Sequence, residues 1–101
     1  MNILPIQAMV QQGEFFFTEH AVRQMAKRDI MDDEAREAIL NGEIIEEYPE
    51  DKYGPSCLIY GNTPQGRPLH VQCSLLPRVR VITVYQPDPN EWNENRQRRR
   101  S

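Results

Sequence analysis

No apolar run in this sequence approaches the roughly 20 residues that a membrane-spanning helix needs. The N-terminus also lacks the basic region, apolar stretch and small-residue cleavage site of a secretory leader, so a soluble, cytoplasmic protein with no membrane partner is expected. Cysteine and histidine are scarce. Cys57 and Cys73 are the two thiols and His20 and His70 the two imidazoles. Two cysteines make neither a disulfide framework nor a zinc site, and no HxxxH, CxxC or clustered carboxylate pattern accompanies the histidines. Both thiols read as core residues, and neither a metal nor another cofactor is expected. A Gly-rich phosphate loop, a nucleophile elbow and a Walker motif are missing too, and Gly61 and Gly66 read as turn or bulge residues.

What is present is enough for one compact unit. The 101 residues are 39% hydrophobic, low for a globular chain, but the aromatic and β-branched residues gather in defined segments. A length of this order fits one core. The formal charge of −3 hides an asymmetry: residues 1–77 carry 6 basic and 12 acidic side chains, and residues 78–101 carry 6 and 3. By charge the body is no basic nucleic-acid binder. The run Arg96, Arg98, Arg99, Arg100 reads either as a solvated tail or as an arm for an acidic partner or phosphates.

Along the chain, Ile3, Ile6 or Met9, and Val10 have helical spacing over residues 3–12, closed by Gly13. Phe15-Phe-Phe17 is β-favouring. Thr18 then suits a helix N-cap, with Glu19 in the first turn, for a helix from Glu19 to Arg28. Asp32 or Asp33 is expected to cap a third helix, with Ala35, Ala38 and Ile39 on one stripe and Asn41-Gly42 at its end. From residue 43 the period becomes extended. Ile44–Tyr48, Ser56–Asn62, Leu69–Leu75 and Arg78–Tyr85 read as strands, with Pro49–Pro55, Thr63–Gly66 and Leu76-Pro77 between them. The expected fold is α+β, with two or three N-terminal helices packed on a four-stranded antiparallel sheet over residues 1–92. Residues 93–101 have no apolar side chain to bury and are expected to form a flexible basic tail.

Two places can carry chemistry. On the second helix His20, Gln24 and Arg28 recur every four residues with Arg23 and Lys27 beside them, while Ala21, Val22 and Met25 take the other side. That polar face is either ordinary solvated surface or a grip for phosphate or an acidic partner. In Leu69–Leu75, Leu69, Val71 and Cys73 point inward by alternation, and His70, Gln72 and Ser74 point away from the helices. A histidine on an open sheet face is often plain polar surface. Here Arg67 stands three residues before it and Tyr85 ends the neighbouring strand, so a titratable imidazole, a cation and a phenol are available together.

The motifs Thr18-Glu-His-Ala-x-x-x-Met-x-x-Arg-x-Ile30, Asn41-Gly-Glu-Ile-Ile-Glu-x-Tyr-Pro-x-Asp51, Gly54-Pro-Ser-Cys-Leu58, Gly66-Arg-Pro-Leu-His-Val71 and Ile82-Thr-Val-Tyr-x-Pro-Asp-Pro-x-x-Trp92 occur in this order. Together they resemble the bacterial domain-of-unknown-function 4258 family over about residues 15–92. The resemblance implies a RelE-like fold and kinship with small toxin ribonucleases, including MqsR-like mRNA interferases. It further implies a zinc-finger or helix-turn-helix antitoxin as partner. Family members commonly carry Arg four residues after the helix histidine, where this chain has Gln24 with Arg23 one residue earlier. One helical position is about 100° around the axis, so the two are not equivalent. His20, Arg28, Arg67, His70 and Tyr85 match the family pattern. Two functions follow as expectations. The first is a metal-independent endoribonuclease of a toxin–antitoxin pair acting on RNA, free or on a ribosome. In it His70, Tyr85 and His20 transfer protons, Arg67 stabilises charge, and Arg28, Arg23 and Lys27 hold substrate. The alternative is a non-catalytic protein-interaction module of the same fold, with Trp92 anchoring the tail.

Overall fold

The computed structural model describes residues 1–52 and 54–99; Tyr53 in the Pro49–Pro55 connection, and Arg100 and Ser101 at the end of the arginine run, lie outside the described residues. Three helices come first, α1 (Ile3–Gln11), α2 (Glu19–Lys27) and α3 (Asp32–Leu40), with the three-residue strand β1 (Phe15–Phe17) between α1 and α2. Each starts where local chemistry satisfies its first N–H groups. Asn2 Oδ1 accepts from the Leu4 amide, and Thr18 Oγ1 accepts from Ala21 while donating to the Ile82 carbonyl. The third helix departs from expectation. Met31 occupies the N-cap, and Glu34 reaches back to accept from the Met31 amide, so Asp32 is already helical. On α2, Ala21 and Met25 are buried as expected, but Val22 is 54% exposed and does not belong to the inner side.

The strands β2 (Glu43–Tyr48), β3 (Ser56–Asn62), β4 (Pro68–Ser74) and β5 (Val79–Tyr85) form an antiparallel meander within one residue of the expected bounds. The sheet nevertheless has five strands and is mixed. Its order is β1-β5-β4-β3-β2, and β1 runs parallel to β5 with Phe15 opposite Val79 and Phe17 opposite Val81. The expected four-stranded antiparallel sheet is corrected here. Three phenylalanines are too short a run to show a period, and their partner lies more than 60 residues along the chain.

Two register shifts set which side chains face the helices. In β5 the shift falls between the partners of Gln72 and Cys73, which pair with Thr83 and Val81 and leave Ile82 as the extra residue. Val79, Val81 and Val84 therefore all enter the core, and Tyr85 returns to the open face opposite His70. In β2 the extra residue is Ile45, which puts Ile44 on the helix side and Glu46 on the open side beside Leu58. The core joins Ile6 and Val10 of α1, Ala21 and Met25 of α2 and Ala35, Ala38 and Ile39 of α3 to Cys57, Ile59, Leu69, Val71 and Cys73. Both cysteines are buried and free, facing each other across β3 and β4. Gly61 lets α3 approach, because a Cβ there would lie 1.9 Å from the Ala38 carbonyl oxygen.

Residues 92–99 do not trail away from the body as a tail with nothing to bury would. Trp92–Asn93 (β6) and Gln97–Arg98 (β7) form a hairpin turned through Glu94 and Asn95, both at positive φ (51° and 65°). It lies on the open face of the sheet, held by charge and ring contacts that an apolar count does not register. Arg98 makes a two-pronged ion pair with Glu46, Nε to Oε2 at 2.9 Å and Nη2 to Oε1 at 3.1 Å, and Arg96 pairs with Glu43. The guanidinium of Arg96 sits 4.9 Å from the Tyr60 ring and that of Arg98 4.7 Å from the Trp92 ring. No helix among the described residues is long and apolar enough to cross a membrane.

Candidate functional site

His70 projects from β4 to the open face, as the alternation predicts, but the hairpin covers it. Its side chain is completely buried, with the Trp92 ring edge-on at 4.4 Å between centroids and Tyr60 and Tyr85 at 6.0 and 5.2 Å. The expectation of an open, solvent-facing His70 is therefore corrected. Its protonation follows from its partners. The Asn95 carbonyl can only accept, so Nε2, 2.6 Å away, carries the hydrogen, and Nδ1 accepts from the Tyr85 hydroxyl at 3.2 Å. Burial lowers the imidazole pKa and outweighs the Asn95 hydrogen bond that raises it. Burial also raises the Tyr85 hydroxyl, which stays protonated and able to donate.

The two arginines beside this nest are occupied by backbone. Arg67 donates from Nη1 to the Asp29 carbonyl at 2.8 Å, from Nη2 to the Arg28 carbonyl at 3.0 Å and from Nε to Gln86 at 3.0 Å, with Glu34 3.7 Å away. It thus closes the C-terminal end of α2, where Asp29 adopts a left-handed φ of 56°. Arg28 donates to the Val84 carbonyl at 2.8 Å and stands 6.0 Å from the Tyr85 ring. Arg23 pairs with Glu19 on the exposed helix surface, and Lys27 is exposed in the last turn.

His20 is elsewhere. It is exposed in the first turn of α2, roughly 12 Å along the helix axis from Arg28. There it lines a cleft of about 450 Å³ on the open face, together with Thr18, Asp51, Lys52, Gln72, Arg80 and Ile82. The bulged residue Ile82 is part of its wall, and bulges often re-aim side chains beside functional sites. One wall is fixed by a hydrogen-bonded group: Asp51 Oδ2 accepts from Ser56 Oγ at 2.6 Å and from Gln72 Nε2 at 3.3 Å, while Gln72 Nε2 also donates to Ser56 Oγ at 3.2 Å. His20, Arg28, Arg67, His70 and Tyr85 accordingly do not converge on one cleft. Among the described residues no three His, Cys, Asp or Glu side chains lie close enough together to hold a metal ion.

The family model described as Domain of unknown function (DUF4258) matches residues 17–86. The chain belongs to the DUF4258 family. That region runs from the end of β1 through β5, so it contains His20, the whole α2–β5 unit and both arginines that brace it. Helix α1 and the hairpin over His70 lie outside the DUF4258 match. No curated protein and no solved structure matches the chain.

Sequence reasoning missed Asp51, Lys52, Gln72 and Arg80 as neighbours of His20. The alternation of β4 does put Gln72 on the open face with His70. The missing signal is the placement of Asp51 and Lys52 beside Gln72, which no local pattern encodes.

Proposed function

We propose that this DUF4258 protein is a toxin-type endoribonuclease, an mRNA interferase of a bacterial toxin–antitoxin pair acting in the cytoplasm, related to the RelE-like and MqsR-like toxins. The observation that carries the reading is His20: a solvent-facing imidazole at the mouth of a cleft that also presents Lys52 and Arg80. RNA cleavage through the 2′-hydroxyl needs a group that takes its proton and fixed cations for the charge that builds on the phosphorane. His20 takes the 2′-hydroxyl proton as the 2′-oxygen bonds to phosphorus and returns it to the 5′-oxygen as the phosphorus–5′-oxygen bond breaks, while Lys52 and Arg80 bring positive charge to the phosphorane, so no step calls on a metal. His70, Tyr85, Arg28 and Arg67 act as braces of α2 and the hairpin in this reading, because their polar atoms are committed to one another and to backbone. The body's acidic charge suits a substrate presented by the ribosome better than tight binding of free RNA.

A different feature favours the interaction module as the second reading. Between α2 and α3 lies a groove of about 510 Å³ walled by Val22, Met25, Ala26, Ile30 and Met31, with Asp32 and Asp33 at its rim. Val22 and Met31 are 54% and 64% exposed there, an apolar surface suited to a protein partner. In the toxin reading the zinc-finger or helix-turn-helix antitoxin docks on this groove. Expression in bacteria, followed by incubation of the purified protein with RNA, with and without ribosomes and with a chelator throughout, tests the choice. Growth arrest with chelator-resistant cleavage is expected. Neither effect, with a partner captured through the α2–α3 groove, would establish the interaction module instead.

A further inference from the structure

We propose that the His20 cleft is a ribonucleotide-binding site that reads the base of one nucleotide of single-stranded RNA through Gln72, an inference that rests on the ribonuclease reading and names its substrate contact. The cleft's volume, about 450 Å³, is in the range that holds a ligand of nucleotide size. Ile82 offers an apolar contact for a base, and Lys52 and Arg80 bring positive charge for a phosphate on a lining that also holds the Asp51 carboxylate.

Base discrimination follows from the group that fixes Gln72. The Asp51 carboxylate only accepts hydrogen bonds, so the amide must turn its nitrogen toward Asp51 and Ser56. The Ser56 hydroxyl donates to Asp51 and so presents a lone pair to the same nitrogen. Flipping the amide would set its oxygen against the carboxylate, an arrangement that costs two hydrogen bonds. With Nε2 held by Asp51 and Ser56, the carbonyl oxygen Oε1 is the atom that Gln72, a residue of the cleft lining, turns away from that pair. A fixed acceptor selects bases with an exocyclic amine. Adenine, cytosine and guanine each offer one, whereas uracil has a single imino N–H between two carbonyl oxygens that an acceptor repels. One hydrogen bond of about 1 kcal/mol corresponds to roughly a 5-fold preference, and this is the difference expected between the amino bases and uracil.

The four ribonucleoside 3′-monophosphates and a single-stranded trinucleotide with a non-cleavable 2′-O-methyl backbone, titrated into ¹⁵N-labelled protein, test the assignment. Saturable shifts at Thr18, His20, Gln72 and Ile82 are expected, with the uridine nucleotide weakest and the trinucleotide tighter than any mononucleotide. Gln72→Leu should bring the four affinities together within 2-fold, and Lys52→Ala should weaken all four alike. Arg80→Lys, which keeps the charge, guards against loss of folding in Arg80→Ala. Shifts confined to the α2–α3 groove, or none at 20 mM nucleotide, would overturn the site, as would mononucleotides binding as tightly as the trinucleotide. Binding in the cleft without cleavage by the wild-type protein leaves the site standing and removes the catalytic reading. Cleavage by the wild-type protein with no nucleotide-induced shift in the cleft, and with a base preference that Gln72→Leu leaves untouched, does the reverse.

Discussion

Replacing Trp92 by alanine should detach the C-terminal hairpin from the sheet while leaving the five-stranded domain folded. Trp92 is 3% exposed and packs edge-on against His70, with Arg98 stacked on its other side. A buried tryptophan hides about 200 Å², worth roughly 5 kcal/mol at 25 cal/mol per Å², and truncations of such residues cost about 3–5 kcal/mol. The loss has a ceiling, however. Only residues 92–99 of the described chain hang on this contact, so once the hairpin is off no further stability can be lost through it, and the fall should stay at the lower end of that range, about 3 kcal/mol. Arg98→Ala sets the scale from the other side. Its side chain is 61% exposed and that of its partner Glu46 22%, and a pair with one partner this open contributes about 1 kcal/mol or less. Urea unfolding followed by far-UV circular dichroism measures both variants, since the only tryptophan fluorophore is lost in the first. Hydrogen exchange at the Arg99 amide, which donates to the Glu91 carbonyl, reports the hairpin itself. A Trp92→Ala protein with an unchanged urea midpoint and wild-type protection at Arg99 would show that the hairpin is not docked in solution.

Three further outcomes follow from the same contacts. Arg67→Ala should destabilise the domain by about 2 kcal/mol, because two carbonyls at the end of α2 lose their donor, and Arg67→Lys should restore little of it; thermal denaturation measures this, and nucleotide affinity in the His20 cleft should not move. His70, whose pKa burial lowers, takes up fewer protons in the folded than in the unfolded chain. Its contribution to stability is therefore complete above the ordinary imidazole value and is lost as pH falls through its own lowered value, so Trp92 emission should shift to the red on acidification, and much less so in His70→Gln. Gly61→Ala should cost about 3 kcal/mol or more, visible as a fall in melting temperature, because the added methyl group meets the Ala38 backbone of α3.

Much of the fold is written locally and some is not. The Thr18 cap, the Asn41-Gly42 stop and the alternation through Leu69, Val71 and Cys73 each depend on a few neighbouring residues, and each appears where the pattern puts it. The fifth strand depends on pairing Phe15–Phe17 with Val79–Val81, a long-range choice that three residues cannot announce. The bulges at Ile45 and Ile82 are equally silent, since an alternating sequence gives no sign that its phase will slip. The candidate site shows the same division. The side of the sheet on which His70 lies was legible, but its burial was not, because the cover is a segment whose composition reads as disordered. Arg96 and Arg98 are held by Glu43 and Glu46, more than 50 positions away. Likewise His20 was legible as a polar helix residue, and its cleft appears only when the Asp51–Lys52 segment folds back beside Gln72.

A side-by-side comparison of two variants tests most directly whether His20 serves RNA chemistry and His70 serves architecture. His20→Ala should keep the wild-type melting temperature and lower the rate of RNA cleavage by roughly 100-fold or more, as loss of a general acid–base group does. His70→Gln should retain cleavage within a few-fold while loosening the hairpin. Full activity in His20→Ala together with a folded, inactive His70→Gln would contradict the account.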